Sequence, residues 1–429
     1  MKILLKNATL LPEYGYGSNS VNVVVEDQKI AAITEKLPDI KADQIIDCEE
    51  NLLMPGFYNA HCHAAMTLFR GYGEDLPLQR WLEERIFPAE DRLTYESVSV
   101  ASKWAIAEML RCGVVSFSDM YMFEDATSKA VLETGIKANL SRCIVSFDPD
   151  IDMKNDFRLR ESLELVDQYH GSDDGRLKID LSLHAEYTNV PRACEYVGRV
   201  AKERGLLLQL HLSETEKEHS ECIARHGKTP TRFFADLGAF DAPTLAAHCV
   251  WVTDEDIAIL AQKGVTAVHN PISNLKLGSG VMPLRKMLDA GVNVAFGTDG
   301  VASNNRLDLL RDYQTAAILH KGISRDPASV TAKELLSLAT RNGALAQGRD
   351  DCGTIAVGAR ADLILIDKHT IHNTPCYDDY AMLAYSACAN DVKMTMVDGR
   401  ILYRNGEYTS IDEERLRYEF REVLSHYFA

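Results

Sequence analysis

Two histidines separated by a single residue, His61 and His63, close the apolar run MPGFYNAHCH (Met54 to His63). In a β-strand alternate side chains share a face, so both imidazoles can address one metal ion while Cys62 points away. The pair is half a metal site, and later segments offer the rest. His184 in SLHAEY, His211 with Glu214 in QLHLSETE, His248 in LAAHCV and Asp299 in FGTDG each follow an apolar run. A lone histidine in such a place is more often a satisfied core residue than a ligand. Recurrence at the same end of successive strands is what that account explains poorly. One ion needs three or four ligands from His and Asp plus a position open to water, and His61, His63, His211 and Asp299 can supply them. Water bound there is acidified from about 15.7 to roughly 7. His248 is the candidate base that orients and deprotonates it, with Asp299 sharing the proton. Glu214, three residues beyond His211, can reach a substrate and deliver a proton. The set suits hydrolytic attack on an sp2 carbon.

Positioning these groups requires strands whose ends converge. Between Met54 and about residue 350, short apolar strands alternate with longer helical stretches, the signature of parallel βα units. Eight strand candidates occur: LLMPGFYNAH, VVSFSDMY, IKANLSRC, LKIDLSLHAEY, LLLQLHLSE, TLAAHCVWV, VTAVHNPIS and VNVAFGTDG. Glycine immediately before several of them fits the helix C-cap that returns a chain to its sheet. Eight units predict a (β/α)8 TIM barrel, α/β in class, whose active site lies at the C-terminal strand ends. Residues 1–53 read as short β-segments, and 351–429 return to strands with Asp-Gly and Asn-Gly turns before a closing helix in IDEERLRYEFREVLSHYF. The two ends together predict one small β-domain beside a barrel spanning 54–350.

With 46 Lys and Arg against 63 Asp and Glu, the 429-residue chain carries a net charge of −17. That balance disfavours nucleic acid, whose binding relies on neutralising phosphates. The start, MKILLKNATLLPEYG, is too broken by polar residues for a signal peptide, and no stretch approaches a membrane span. A cytoplasmic protein without membrane partners is expected. Ten cysteines sit far apart with no Cys-x-x-Cys pair, which points to reduced, mostly buried thiols rather than a disulfide framework. Cys62 and Cys249 are read as core, and His269 as a residue ordering the Asn270-Pro271 loop.

PGFYNAHCHAAMTLFRG, SLHAEYT, HLSETEKE, LAAHCVWV, HNPISNLKLGSG and FGTDGVASNN resemble, in order and separation, the amidohydrolase superfamily and its aminohydrolase branch of chlorotriazine, guanine and adenosine-type deaminases. The resemblance runs from about residue 2 to 408. It implies a distorted (β/α)8 barrel with a composite β-sandwich, and one Zn or Fe ion held by His61, His63, His211 and Asp299. Two-metal members carry a lysine on strand four; His184 stands in that region here, which favours one metal. WLEERIFPAEDRLT (Trp81 to Thr94) is similar to the 5-methylthioadenosine/S-adenosylhomocysteine deaminases. That similarity implies Glu90 on the ribose hydroxyls, Arg142 on the 5'-substituent side, His184 on sugar or purine, Glu214 on the ring nitrogen and Ser303 on the purine. A second arginine is Arg158 or Arg160. A helix N-terminus also favours Glu90 and Asp91 for simple electrostatic reasons. The expected reaction is hydrolytic deamination at C6 of 5'-substituted adenosines by a homo-oligomeric enzyme. The alternatives are deamination of guanine, a pterin or a triazine, or a silent barrel that binds a nucleoside.

Overall fold

The computed structural model of the chain describes residues 1–17 and 19–427. Eight parallel strand positions form its centre: β1 (Phe57–Cys62), β2 (Val114–Tyr121), β3 (Lys137–Ile144), β4 (Leu177–Ile179 and Leu181–Leu183), β5 (Leu208–Leu212), β6 (Thr244–His248), β7 (Thr266–His269) and β8 (Val294–Phe296). They pair in sequence order from β1 to β8, with Asp180 breaking β4 into two short pieces. The sheet closes on itself just beyond β8. There the Thr298 N–H donates to Asn59 Oδ1 (3.0 Å) and the Asp299 N–H to the His61 carbonyl (3.0 Å). The result is a distorted (β/α)8 barrel.

Its strands are buried on both faces, as a parallel sheet between helices requires. The helices are delimited locally. Asp254–Lys263, for example, starts at Thr253, whose side chain accepts from the Asp256 N–H while Asp256 accepts in return from the Thr253 N–H (2.9 Å).

Both chain ends build a second unit. A four-stranded sheet runs in the order Lys29–Thr34, Val21–Glu26, Lys2–Ala8, Gln44–Asp47. A five-stranded antiparallel sheet runs Glu407–Tyr408, Arg400–Arg404, Val392–Val397, Leu363–Ile366, Leu52–Pro55. Alternation along the second sheet explains how it sits. Leu53, Leu363, Leu365, Met394 and Met396 share a core with Ile3, Leu5, Val23 and Val25 of the first sheet. Leu52, Met54, Ile364 and Ile366 face the other way, into the core around the barrel.

LLMPGFYNAH, expected as one strand, is therefore two. Leu52–Pro55 belongs to the five-stranded sheet and Phe57–Cys62 to the barrel. Gly56 makes the junction, and a Cβ there would lie 2.2 Å from Val115 Cγ1. The expected closing helix spans Glu413–Tyr427. Among the described residues, the ten cysteines are unpaired and no helix is long and apolar enough to cross a membrane.

Candidate active site

The ends of β1, β5, β6 and β8 deliver polar groups to the same mouth of the barrel. His61 closes β1 and His63 follows it; His211 lies in β5, His248 ends β6, and Asp299 follows β8. The imidazoles crowd together, with ring centroids 4.9 Å apart for His61 and His63, 5.0 Å for His61 and His211, and 5.5 Å for His211 and His248. Asp299 Oδ1 lies 3.2 Å from His63 Nε2 and 3.6 Å from His61 Nε2. Two overlapping sets, His61 with His63 and Asp299, and His61 with His211 and His248, have ligand atoms within 4.8 Å of one another.

The ring orientations are set from behind. His63 Nδ1 contacts the Met120 carbonyl (2.7 Å) and His211 Nδ1 the His184 carbonyl (2.7 Å), so each Nδ1 carries a proton and each Nε2 faces the centre. His248 Nδ1 meets Asn274 Oδ1 at 2.8 Å in the same way. Asp299 is clamped by Ser273 Oγ (2.6 Å) and Ser303 Oγ (2.9 Å) on Oδ2, and by the Gly300 N–H (2.8 Å) on Oδ1. Its backbone, like those of Ser213, His248 and Cys249, has positive φ (62°, 48°, 75° and 48°). Such conformations cost about 1 to 3 kcal/mol each and persist only where surroundings enforce them.

Electrostatics favour a cation. Burial holds His61 at about 4 and His211 well below its ordinary value, keeping both neutral, the form in which imidazole ligates. Burial would also lower His63, but the hydrogen bond and charge of Asp299 outweigh it and lift it to about 9. Asp299 stays ionised, because its contacts to His61 and His63 overcome the cost of burial. His61 Nε2 is buried without a hydrogen-bond partner, an uncompensated lone pair that a cation would satisfy. His61, His63 and Asp299, with His211 and His248 on the other side of His61, therefore offer a divalent ion a donor set.

A third cluster, His372, Cys388 and Asp391, lies outside the cleft. There Asp391 accepts from His372 (2.8 Å), the Cys388 N–H (2.9 Å) and Asn373 (3.0 Å), and hydrogen bonding accounts for it.

Above the ion site opens a cleft of about 570 Å³ lined by apolar side chains such as Trp81, Ile86 and Phe147 and by polar ones that converge. Glu214, His248, His184, Glu90, Arg142 and Arg158 all face it. Glu214 Oε2 is 3.8 Å from His248 Nε2, and burial raises the Glu214 carboxyl. Burial likewise raises Glu90 to about 7, and the Tyr121 hydroxyl donates to its Oε1 (2.7 Å). Arg142 spends Nε on Glu161 (2.9 Å) and Nη1 on the Cys143 carbonyl (2.7 Å). His184 is lowered to about 4 by burial and by the charge of His63, with Nδ1 on Thr188 Oγ1 (3.1 Å).

Two of the candidate contacts differ in placement from the rest. Ser303, read as a purine contact, does not line the cleft; it is buried, and its hydroxyl is taken by Asp299 and the Gly300 carbonyl (3.0 Å). Of the two candidate arginines, Arg158 lines the cleft, whereas Arg160 is exposed outside it. His269 points away to His320, with Nε2 atoms 2.9 Å apart. Sequence reasoning missed Tyr121, Ser273, Asn274 and Glu218. The stretch HNPISN holds two of these, and its polar density was the available signal.

The amidohydrolase family model matches residues 52–402. The 5-methylthioadenosine/S-adenosylhomocysteine deaminase of Dictyoglomus turgidum is 42% identical over 419 residues, covering 98% of this chain and 97% of its own. The 5'-deoxyadenosine deaminase of Methanosarcina mazei is 43% identical over 417 residues, covering 96% and 95%. Among solved structures, an adenosine deaminase from Xanthomonas campestris with bound zinc superposes with a TM-score of 0.92 at 32% identity, over 99% of this chain and 98% of its own.

Proposed function

This chain belongs to the amidohydrolase family, and we propose that it is a metal-dependent aminohydrolase that removes the C6 amino group of 5'-substituted adenosines as ammonia. 5-Methylthioadenosine and S-adenosylhomocysteine are the foremost substrates, with adenosine and 5'-deoxyadenosine as further ones; the names of the relatives support this class. One observation carries the reading. A buried carboxyl, Glu214, lies 3.8 Å from His248 beside the ligand cluster, at a cleft whose wall carries a second carboxyl, Glu90.

His61, His63, His211 and Asp299 would hold one ion, and zinc suits three imidazoles with one carboxylate. When bound, the ion supplies Lewis acidity and brings the pKa of a coordinated water down to roughly 7. The chain's own groups do the remainder. Glu214, whose carboxyl burial raises, gives a proton to N1 of the purine as the water oxygen adds to C6. His248 takes a proton from that water at Nε2, since its Nδ1 is committed to Asn274. Asp299, fixed by Ser273 and Ser303, shares that proton. Of the two water protons, one leaves with ammonia and one returns to Glu214, so the enzyme ends unchanged and C6 carries a carbonyl oxygen.

Glu90 selects the nucleoside. Its Oε1 is occupied by Tyr121, and the remaining acceptor capacity of an ionised carboxylate receives the vicinal ribose hydroxyls. His184 packs beside the sugar or purine. Arg142, with Nη2 uncommitted, and Arg158 face the 5'-substituent.

The test is ammonia release from a panel of 5-methylthioadenosine, S-adenosylhomocysteine, adenosine, guanine and a chlorotriazine. The two 5'-thio nucleosides should be turned over with the highest kcat/KM. A preference for guanine or the triazine over every adenosine would overturn the substrate class.

A further inference from the structure

Glu214 has little to hold its carboxyl in place. Among the described residues, its one side-chain hydrogen bond is a long contact from Ser279 Oγ to Oε1 (3.4 Å). The position of its head group therefore depends on the backbone turn that follows β5. That turn is unusual: Ser213 has a φ of 48°, in the left-handed region that a serine enters only under constraint.

The constraint comes from Glu218, which is buried in the first turn of the helix Glu216–His226. Its carboxylate reaches back and takes both consecutive N–H groups of the turn, Ser213 on Oε1 (2.9 Å) and Glu214 on Oε2 (2.7 Å). Both oxygens are engaged, so the contact fixes orientation as well as distance. The helix cap is a separate device, in which Thr215 Oγ1 accepts from the Glu218 N–H (3.1 Å).

From the same turn, the Ser213 carbonyl accepts from the N–H groups of Val250 (3.1 Å) and Trp251 (2.9 Å), just beyond His248. The segment bearing the proton donor and the segment bearing the base are thus tied at Ser213, and at Leu212, whose carbonyl accepts from the Cys249 N–H (2.9 Å).

We propose that Glu218 is a positioning residue for the reaction: its two-oxygen grip on the Ser213 and Glu214 N–H groups holds the Glu214 carboxyl against the purine and in register with His248. The inference rests on the reading of Glu214 as the proton donor. Glu218 itself does not line the cleft.

The experiment compares kcat and KM for 5-methylthioadenosine in zinc-loaded wild type, Glu218→Gln, Glu214→Gln and the double variant. A glutamine keeps the length but has one acceptor oxygen, so one N–H of the turn loses its partner. A misplaced catalytic group costs on the order of 10²-fold. Glu218→Gln should lose kcat on that scale with KM and bound zinc unchanged. Placed on top of Glu214→Gln, it should add almost nothing, because the group it positions is already disabled. A purely structural role would instead give losses that multiply, and that result, or wild-type kcat in Glu218→Gln, overturns the proposal. If Glu218→Gln does not fold, Glu218→Asp, one methylene short of the turn, is read in the same cycle. An unchanged kcat in Glu214→Gln itself would overturn the underlying reading, and this inference with it.

Discussion

At Glu90 a carboxyl must be both buried and ionised for the proposed recognition of ribose, and these demands oppose one another. Burial raises it to about 7 although Tyr121 donates to it. Below that pH it carries a proton and loses an acceptor for the sugar hydroxyls. Since kcat/KM reports the free enzyme, kcat/KM for 5-methylthioadenosine should fall as pH drops through about 7. Glu90→Gln should flatten that limb and cost about 1 to 3 kcal/mol in kcat/KM, the penalty of an unpaired buried partner. Stability should move oppositely. A folded pKa raised above the ordinary 4.5 makes the Glu90 contribution greatest below 4.5 and removes it as pH rises through about 7. Free adenine, lacking ribose, is the control; equal losses on adenine and the nucleoside would mean that Glu90 acts through folding. The candidate ligands were legible because each ends an apolar run. Their supports were not, since Tyr121 meets Glu90 across 31 residues and Asn274 meets His248 across 26. The orientation of Ser303 was not legible for a local reason: a hydroxyl four residues past Asp299 can face the cleft or the aspartate, and periodicity does not distinguish them.

The barrel strands were readable because each is a short apolar run between helical stretches, but their ends depend on neighbours. The return of β8 to β1 shows the dependence. A Cβ at Gly297 would lie 2.4 Å from Asn270 Oδ1 and 2.9 Å from both the Cβ and carbonyl oxygen of His61. Gly297→Ala must therefore push against the strand that presents a candidate metal ligand. Overpacking of this kind costs about 1 to 3 kcal/mol. The variant should show a lowered Tm and a reduced zinc content in the same preparation; wild-type values of both would exclude the close approach as a constraint. Elsewhere local pattern fell short. In GTIAVGARADLILIDKH only Leu363–Ile366 is a strand, since the segment before it turns back on itself, with the Arg360 N–H donating to the Asp351 carbonyl (2.8 Å). The cleft wall Leu78–Glu90 includes a π-helical turn, Leu82–Ile86, ahead of Pro88, an irregularity that hydrophobic spacing does not encode.

Over the whole molecule, the returning C-terminal strands are joined to the barrel by a buried charge network. Lys137 at the start of β3 pairs with Asp362 and with Asp398 (2.7 Å), and the Tyr58 hydroxyl donates to Asp362 (2.6 Å). Partners 225 residues apart in sequence cannot be matched from charge alone, whereas the β-character of both chain ends was plain. The five-stranded sheet, buried on one face by the N-terminal sheet and on the other by the barrel core, fits the alternation of its strands. All of this serves to bring the candidate ligands His61, His63, His211 and Asp299, from β1, β5 and the segment after β8, to one mouth of the barrel. The most direct test is a metal titration: protein stripped with a chelator receives zinc in increments while ammonia release from 5-methylthioadenosine is followed. Activity should be near zero in the stripped chain and rise linearly to a plateau at one ion per chain. Full turnover by the stripped chain, or none at any zinc loading, would contradict the account.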